Sequence, residues 1–454
     1  MGTTVSSSTK SDLEGQLELP RALGLLDSAL LVIGSIIGSG IFLTPSNIAR
    51  TVHTVEGLLL VWVVGGILSF CGALSYAELG AAFPKAGGIY VFLREAYGPL
   101  PAFLYGWCTF FVMQSGSIAT LASAFAIYLG YLSPLPPWLT KTFAVSCIAL
   151  LTLINCLGVR SGALVQNFLT VVKIGSLVGI SLVLFSSSEG SAQHFFNVTV
   201  PASPFSLSAF GIAMIAALWA YEGWHLLTFA AGEVKNPQKN LTRGLLVGTL
   251  VAIVLYLTVN LAYLWMLPFD RIAGSSRVAS DAMERALGPV GGTLIALAIL
   301  ISITGATNSN VLAGPRVYFA MARQKLFFKQ VASVHPRYRV PVVSITLQGI
   351  WAIVLTLVGN FERLFSYVIF VAWIFYALGG AAVLVLRWKQ PDLERPYKVW
   401  GYPFVPLLFV LMAAAIVLNT IFNDFKNSFW GLVVVLSGLP AYFYWSRKAE
   451  GSKQ

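Results

Sequence analysis

The feature that most constrains this chain is an apolar run of roughly 20 residues that recurs from about Leu25 to about Trp445, with short polar breaks between copies. A helix rises about 1.5 Å per residue, so a run of that length crosses the roughly 30 Å hydrocarbon core of a bilayer. Inside that core each backbone polar group needs an internal partner, which makes helices the natural form for such runs. Composition agrees: 57% of the 454 residues are hydrophobic and 10% are charged, where soluble domains carry about 25% charged residues. The expected structure is an all-α membrane protein with one membrane domain over 21–447. Polar segments flank it at 1–20 and 448–454; the first is Ser/Thr-rich, lacks the basic start and apolar region of a signal peptide, and reads as a disordered tail.

A net charge of +11 would suit a nucleic-acid surface, but in a membrane protein basic residues are first tested against the positive-inside rule. With the spans placed below, 21 of the 29 basic residues fall on the side of the N-terminus, seven fall on the other, and Lys173 lies within a span. The expectation is a multi-pass protein of the cell (inner) membrane with both termini cytoplasmic, partnered by lipid rather than nucleic acid. Cys71, Cys108, Cys147 and Cys156 all sit in apolar runs, without metal-ligand or redox spacing. No metal and no cofactor is expected.

Apolar length and the Gly/Pro/charge clusters place spans near 25–50, 57–82, 99–131, 138–158 and 162–186, then near 207–232, 242–267, 290–320, 340–358 and 364–387, with two more near 404–421 and 427–446. Five spans precede the one at Leu207, and five is odd, so the second set of five enters from the opposite face. That is a five-plus-five inverted repeat over about 22–186 and 207–387, with extra helices at about 404–446 and twelve transmembrane helices in all. Each set opens with an interrupted helix, at Gly38-Ser39-Gly40 and at Ala220-Tyr221-Glu222-Gly223. Paired interruptions of this kind point to a midplane binding site.

Glycine disfavours a helix interior by about 1 kcal/mol relative to alanine, and serine adds a competing hydroxyl. Unwinding at Gly38-Ser39-Gly40 would bare N–H groups at the positive end of the half-helix from Ile41, a place for a carboxylate. The alternative is close packing through the Gly34/Gly38 small-residue pair. Glu222 lies in an apolar span among Trp219, Tyr221 and Trp224, where an ionised group costs about 2.5–3.5 kcal/mol on insertion scales. It is read as a substrate or proton group, beside carbonyls of Trp219 and Ala220 that would accept an ammonium; the alternative is a structural ion pair. His225 is either its hydrogen-bond partner or a satisfied core histidine. Lys173 is too deep to snorkel, and its candidate partners are the carbonyls released at the first break or the carboxylate of Glu222. A fixed ammonium on those carbonyls would take the electrostatic role of a bound sodium ion. Phe42, Trp373 and Tyr376 are candidate aromatic caps on the cavity.

Together these motifs resemble a known family. Ile36-Ile37-Gly38-Ser39-Gly40-Ile41-Phe42, Pro84-Lys85-Ala86-Gly87-Gly88-Ile89-Tyr90, Tyr221-Glu222-Gly223-Trp224 and Gly232-Glu233-Val234-Lys235-Asn236-Pro237 resemble the L-type amino acid transporters of the amino acid, polyamine and organocation superfamily. Arg316-Val317-Tyr318 and Pro391-Asp392-Leu393-Glu394-Arg395-Pro396-Tyr397-Lys398-Val399 follow in the same order, so the likeness covers about Ala22 to Trp445. The resemblance implies the inverted-repeat fold of the sodium-coupled leucine transporter (the LeuT-type fold), with discontinuous helices 1 and 6, and sodium-independent exchange of neutral L-amino acids by alternating access. By matched position, Gly38, Ser39 and Gly40 would hold the substrate carboxylate. Ile36 and the backbone of Trp219 and Ala220 would hold its amino group, Trp219 would gate, Trp373 would line the pocket, and Lys173 would be the fifth-span lysine of the sodium-independent members. Two departures stand out. Glu222 replaces a residue that is often small in animal members, and the loop Tyr131 to Trp138 lacks the cysteine that bonds their accessory glycoprotein, which implies a stand-alone bacterial carrier.

Proton-coupled symport, with cationic substrates accepted, is the rival within transport, carried by Lys173 and Glu222 as buried titratable groups. A membrane-embedded enzyme fits poorly: His53, His194, His225 and His335 are scattered, and no HExxH, Gly-x-Ser-x-Gly or P-loop motif is present. A channel fits poorly too, since repeated charged rings and filter loops are missing.

Overall fold

The structure, a computed structural model, describes residues 18–132, 135–196, 206–358, 361–423 and 425–451. The helices that carry the argument are α1 (Leu25–Ile36), α2 (Gly40–Val52), α3 (Val55–Ala82), α4 (Pro99–Gly130), α5 (Pro137–Cys156), α6 (Val159–Ser186), α7 (Leu207–Ala220), α8 (Leu226–Phe229), α9 (Pro237–Met266), α10 (Pro289–Arg323), α11 (Val342–Val358), α12 (Phe361–Lys389), α13 (Phe404–Asn423) and α14 (Phe425–Gly451). Among the described residues nine helices are long and apolar enough to cross a bilayer, and ten if the bent pair α1–α2 is one span. The apolar helices α7 and α11 occupy two more of the expected positions but are shorter. Three short helices at Ile89–Tyr97, Phe269–Gly274 and Val278–Leu287 were not anticipated. Their charged faces hide them from a search for long apolar runs.

Helix α6 shows which solvent these helices are built for. It buries Gln166, Thr170 and Lys173, spaced along one helical stripe, and turns Leu164 (68% exposed), Phe168 (68%) and Leu182 (65%) outward. A helix facing water would do the reverse, whereas one facing lipid leaves its apolar side chains outside. Similar exposed apolar residues, Leu150 and Leu153 on α5 and Leu411 and Leu418 on α13, continue the surface.

Packing is reciprocal between the two halves. Helix α3, second in its set, lies along α9, second in the other; α4 lies along α10, third against third. The first half-helix α1 packs on α9, and its counterpart α7 packs on α3. A chain folded as two inverted copies produces such exchange of contacts.

Buried ion pairs tie the ends of the spans together. Arg316 forms a two-pronged pair with Glu233, from Nε to Oε2 at 2.6 Å and from Nη2 to Oε1 at 2.9 Å, and both side chains are buried. Glu78 on α3 accepts from Arg387 on α12 at 2.9 and 2.7 Å and from the Val399 backbone N–H at 2.7 Å, which pins the segment after α12. Ahead of α1, the Ala22 and Leu23 N–H groups donate to the Glu233 carbonyl at 2.8 and 2.9 Å, and Leu23 bridges Val234. Of the expected disordered tail, residues 1–17 lie outside the described residues; Leu19, however, is buried against Phe319 and Val334. The C-terminal tail expected from 448 is helical through Gly451, with Lys448 in the last turn where the helix dipole favours a cation.

Candidate functional site

Both expected interruptions are present. The first span stops at Ile36 and restarts at Gly40 with a 42° bend, which leaves Gly38, Ser39 and Gly40 at the start of α2, where N–H groups lack intrahelical acceptors. The second breaks over Tyr221–His225 between α7 and α8, where Gly223 adopts φ +111°, a conformation that L side chains rarely take. The two breaks abut. A Cβ on Gly40 would fall 2.6 Å from Ala220 Cα, and one on Gly223 would fall 2.8 Å from the Ser35 carbonyl. Gly38 does not mediate close packing, since its nearest prospective neighbour is the Ala306 Cβ at 3.7 Å.

A cavity of about 50 Å³ opens between the breaks. Ile36, Gly38, Ser39, Gly40, Trp219, Ala220 and Glu222, all expected there, line it. Trp373 does not. Ala372 and Tyr376 of α12 face the cavity instead, four residues apart on one helix face, and Trp373, one position on from Ala372 and so turned by about 100°, packs its ring toward Tyr376 and Phe409. Phe42, also a candidate cap, is buried away from the lining. Gln114 and Ser117 complete a polar wall on α4, directly after a widened π-helical stretch at Thr109–Met113, a feature that often marks functional sites.

Tyr256 of α9 was missed by the sequence reading. Its hydroxyl lies 2.8 Å from the Ile36 carbonyl and 2.9 Å from the Ala220 carbonyl, so one proton bridges both broken helices. Its ring packs on Trp62 and Tyr221 at 5.6 and 5.1 Å. A tyrosine inside an apolar run carries no sequence signal that separates this position from a core one.

Lys173 resolves its two candidate partnerships. Nζ donates to the Gly34 carbonyl at 2.7 Å and the Ile37 carbonyl at 2.6 Å, the last carbonyls of α1 and its cap, and not to Glu222. Gly305 on α10 leaves room for the lysine stem, since a Cβ there would fall 2.6 Å from Lys173 Cε. Ser302 Oγ reaches the Ile37 and Gly38 carbonyls at 3.1 and 2.9 Å, so cation and hydroxyl together satisfy the frayed end of α1. Glu222 is held otherwise: Tyr376 Oη donates to its Oε1 at 2.5 Å, and His225 Nδ1 stands 3.7 Å away, beyond hydrogen-bond reach.

Two interrupted helices facing one another across a small polar cavity, inside a bundle of membrane helices with inverted contacts, define a secondary transporter. Sequence comparison gives the same class independently: residues 23–439 match the family described as amino acid permease, and the chain belongs to that family. It is 34% identical to the serine/threonine exchanger SteT of Bacillus subtilis (strain 168) over 428 residues, covering 94% of this chain and 97% of the relative. It is 32% identical to the b(0,+)-type amino acid transporter 1 of Mus musculus over 433 residues, covering 94% and 88%. The cystine/glutamate transporter of Homo sapiens is 29% identical over 444 residues, covering 95% and 87%. With that membership the protein is a membrane transporter and not an enzyme.

Proposed function

We propose that the protein exchanges neutral L-amino acids across the cell membrane by alternating access, without sodium. In this reading twelve spans cross the membrane, α7–α8 and α11 counting as two of them, and the 21-to-7 division of basic residues sets both termini in the cytoplasm. The carboxylate of the substrate binds the N–H groups at Gly38, Ser39 and Gly40, drawn by the dipole of α2. Its ammonium binds the carbonyls of Ile36, Trp219 and Ala220. The names of the relatives, a serine/threonine exchanger and a b(0,+)-type amino acid transporter, support the substrate class and the exchange mode. The carrier works without an accessory glycoprotein, since the loop Tyr131 to Trp138 offers no cysteine for one.

The observation that carries the sodium-independent reading is the seat of Lys173 on the Gly34 and Ile37 carbonyls. An ammonium fixed there neutralises the negative end of α1 permanently, the task that a mobile cation performs in an ion-coupled carrier. Purified protein in sealed vesicles tests it. Uptake of a labelled neutral amino acid should require unlabelled amino acid inside and proceed equally in sodium and in choline. Accumulation driven by a sodium or proton gradient into vesicles without internal substrate would overturn the exchange reading.

A further inference from the structure

Helix α10 ends in a turn that its sequence does not favour. The Lys325 N–H donates to the Ala322 carbonyl at 3.0 Å and the Leu326 N–H to the Met321 carbonyl at 3.1 Å, the two bonds of a Schellman closure. Such a closure puts one residue in the left-handed conformation, a place usually given to glycine, and here Lys325 takes it at φ +63°. The turn therefore holds a lysine at a fixed point past the end of α10. Phe327 and Phe328 follow, and both rings pack on Trp445 of α14, with centres 5.7 and 5.2 Å apart. Lys329 then opens the short helical turn Lys329–Ala332.

These contacts frame a cavity of about 580 Å³ between the end of α10 and the end of α14. Lys325, Lys329 and Lys448 stand on its wall with Phe328, Tyr444 and Trp445, and no aspartate or glutamate among the described residues lines it. A second cavity at the same end of α10 is different, because Glu18 and Glu95 stand there among the cations Arg21, Lys85 and Arg94. Three like charges around one space repel one another, and an anion placed between them replaces repulsion by attraction.

The wall of the cavity continues along the outside of α14. Only 17% of the apolar stretch of that helix is buried. Leu436, Pro440, Tyr444 and Lys448 are all exposed, and their spacing of four residues sets them in one stripe. In a bilayer that stripe lies against acyl chains, and it turns from apolar to basic where it reaches the cavity, with Tyr444 at the level where aromatic side chains meet headgroups. A soluble anion would use the lysines alone. A molecule with an anionic head and apolar tails uses the lysines and the stripe together.

We propose that this cavity binds one anionic phospholipid, its phosphodiester between Lys329 and Lys448 and its acyl chains along the outer stripe of α14. The bound lipid ties α14 to the end of α10, the helix that carries Ser302 to the first break. The proposal goes beyond the exchange reading and does not depend on it.

The test titrates phosphatidylglycerol, phosphatidylcholine with the same acyl chains, and glycerol 3-phosphate onto the whole protein in neutral detergent, with adducts counted by native mass spectrometry. One phosphatidylglycerol should bind strongly, phosphatidylcholine should bind at least about fivefold more weakly, and glycerol 3-phosphate should not displace the lipid at equal concentration. A lysine beside an anionic headgroup is worth a factor of about five, so Lys329→Gln combined with Lys448→Gln should weaken phosphatidylglycerol binding about twentyfold. Lys329→Arg with Lys448→Arg keeps the charge and should keep the lipid. The exposed lysines Lys239 and Lys398 lie outside the cavity, so Lys239→Gln with Lys398→Gln should bind as the unaltered protein does. Phosphatidylglycerol should also raise the thermal midpoint of the unaltered protein and not that of the double glutamine variant at the cavity, since a ligand of the folded state stabilises it by mass action. If that variant fails a size-exclusion check, each single substitution carries the same comparison with a fivefold loss expected. Equal binding of phosphatidylcholine, or equally tight binding of glycerol 3-phosphate, would overturn the proposal. So would full retention of the lipid by the glutamine variants at the cavity, or an equal loss in the control pair.

Discussion

Lys173 satisfies carbonyls at the break of the first span and Tyr256 bridges carbonyls of both broken spans, yet only the lysine was legible in the sequence. A lysine in the middle of an apolar run demands an explanation, because the bilayer core penalises its charge. A tyrosine in the same setting demands none. Trp373 shows the opposite failure: its residue type suits a cavity wall, but rotation about α12 gives that wall to Ala372 and Tyr376. Residue type is visible in a sequence, while the face that a helix turns inward is set by packing. Lys173→Ala leaves the Gly34 carbonyl without its donor, at about 1–3 kcal/mol, and removes the charge from the end of α1. Exchange in vesicles should fall about tenfold or more while the protein still purifies as a folded species; near-normal exchange would remove Lys173 from the mechanism. Tyr256→Phe keeps the ring against Trp62 and Tyr221 and deletes only the bridging hydroxyl. One net hydrogen bond is worth about 0.5–1.5 kcal/mol, so the half-saturating substrate concentration or the maximal rate should worsen about two- to tenfold. An unchanged concentration dependence would show the bridge to be dispensable.

At the scale of elements, apolar length located the spans well because the bilayer imposes one length on all of them: the expected 99–131 and 162–186 correspond to Pro99–Gly130 and Val159–Ser186. The breaks were legible because glycines and a carboxylate interrupt otherwise apolar runs. What length could not reveal is how closely the breaks approach each other. Gly40 and Gly38 both line the cavity but differ in space, one pressed on Ala220 and the other with no prospective neighbour closer than the Ala306 Cβ at 3.7 Å. Gly40→Ala puts a methyl group 2.6 Å from Ala220 Cα and must push α2 from α7, so thermal stability and exchange should both drop. Gly38→Ala meets nothing closer than 3.7 Å, so stability should hold while exchange drops, because the methyl occupies substrate space. Thermal melts of the two variants beside their transport rates check the contrast. Equal stability of both would mean that the contact at Gly40 yields easily.

For the whole molecule, the question is which contacts must part when access switches sides. The segment ahead of α1 is fastened to the loop after α8 through the Ala22 and Leu23 N–H groups on the Glu233 carbonyl, the Leu23–Val234 bridge and the buried Arg316–Glu233 pair. These join the first and sixth spans to each other and to α10 at one end of the bundle. If the first and sixth spans tilt apart there in each cycle, a covalent tie at the bridge must stop exchange. Neighbouring positions on paired backbones lie within the range of a disulfide, and the native cysteines sit within the spans on α3, α4 and α5. Leu23→Cys combined with Val234→Cys should therefore exchange normally when reduced, lose exchange on oxidation and regain it with reductant. The crosslink yield is read separately by mass spectrometry. Full exchange through a fully crosslinked protein would mean that access at this end is gated by something smaller than movement of the two broken spans, and α8 alone, with its four residues between two turns, would become the element to examine.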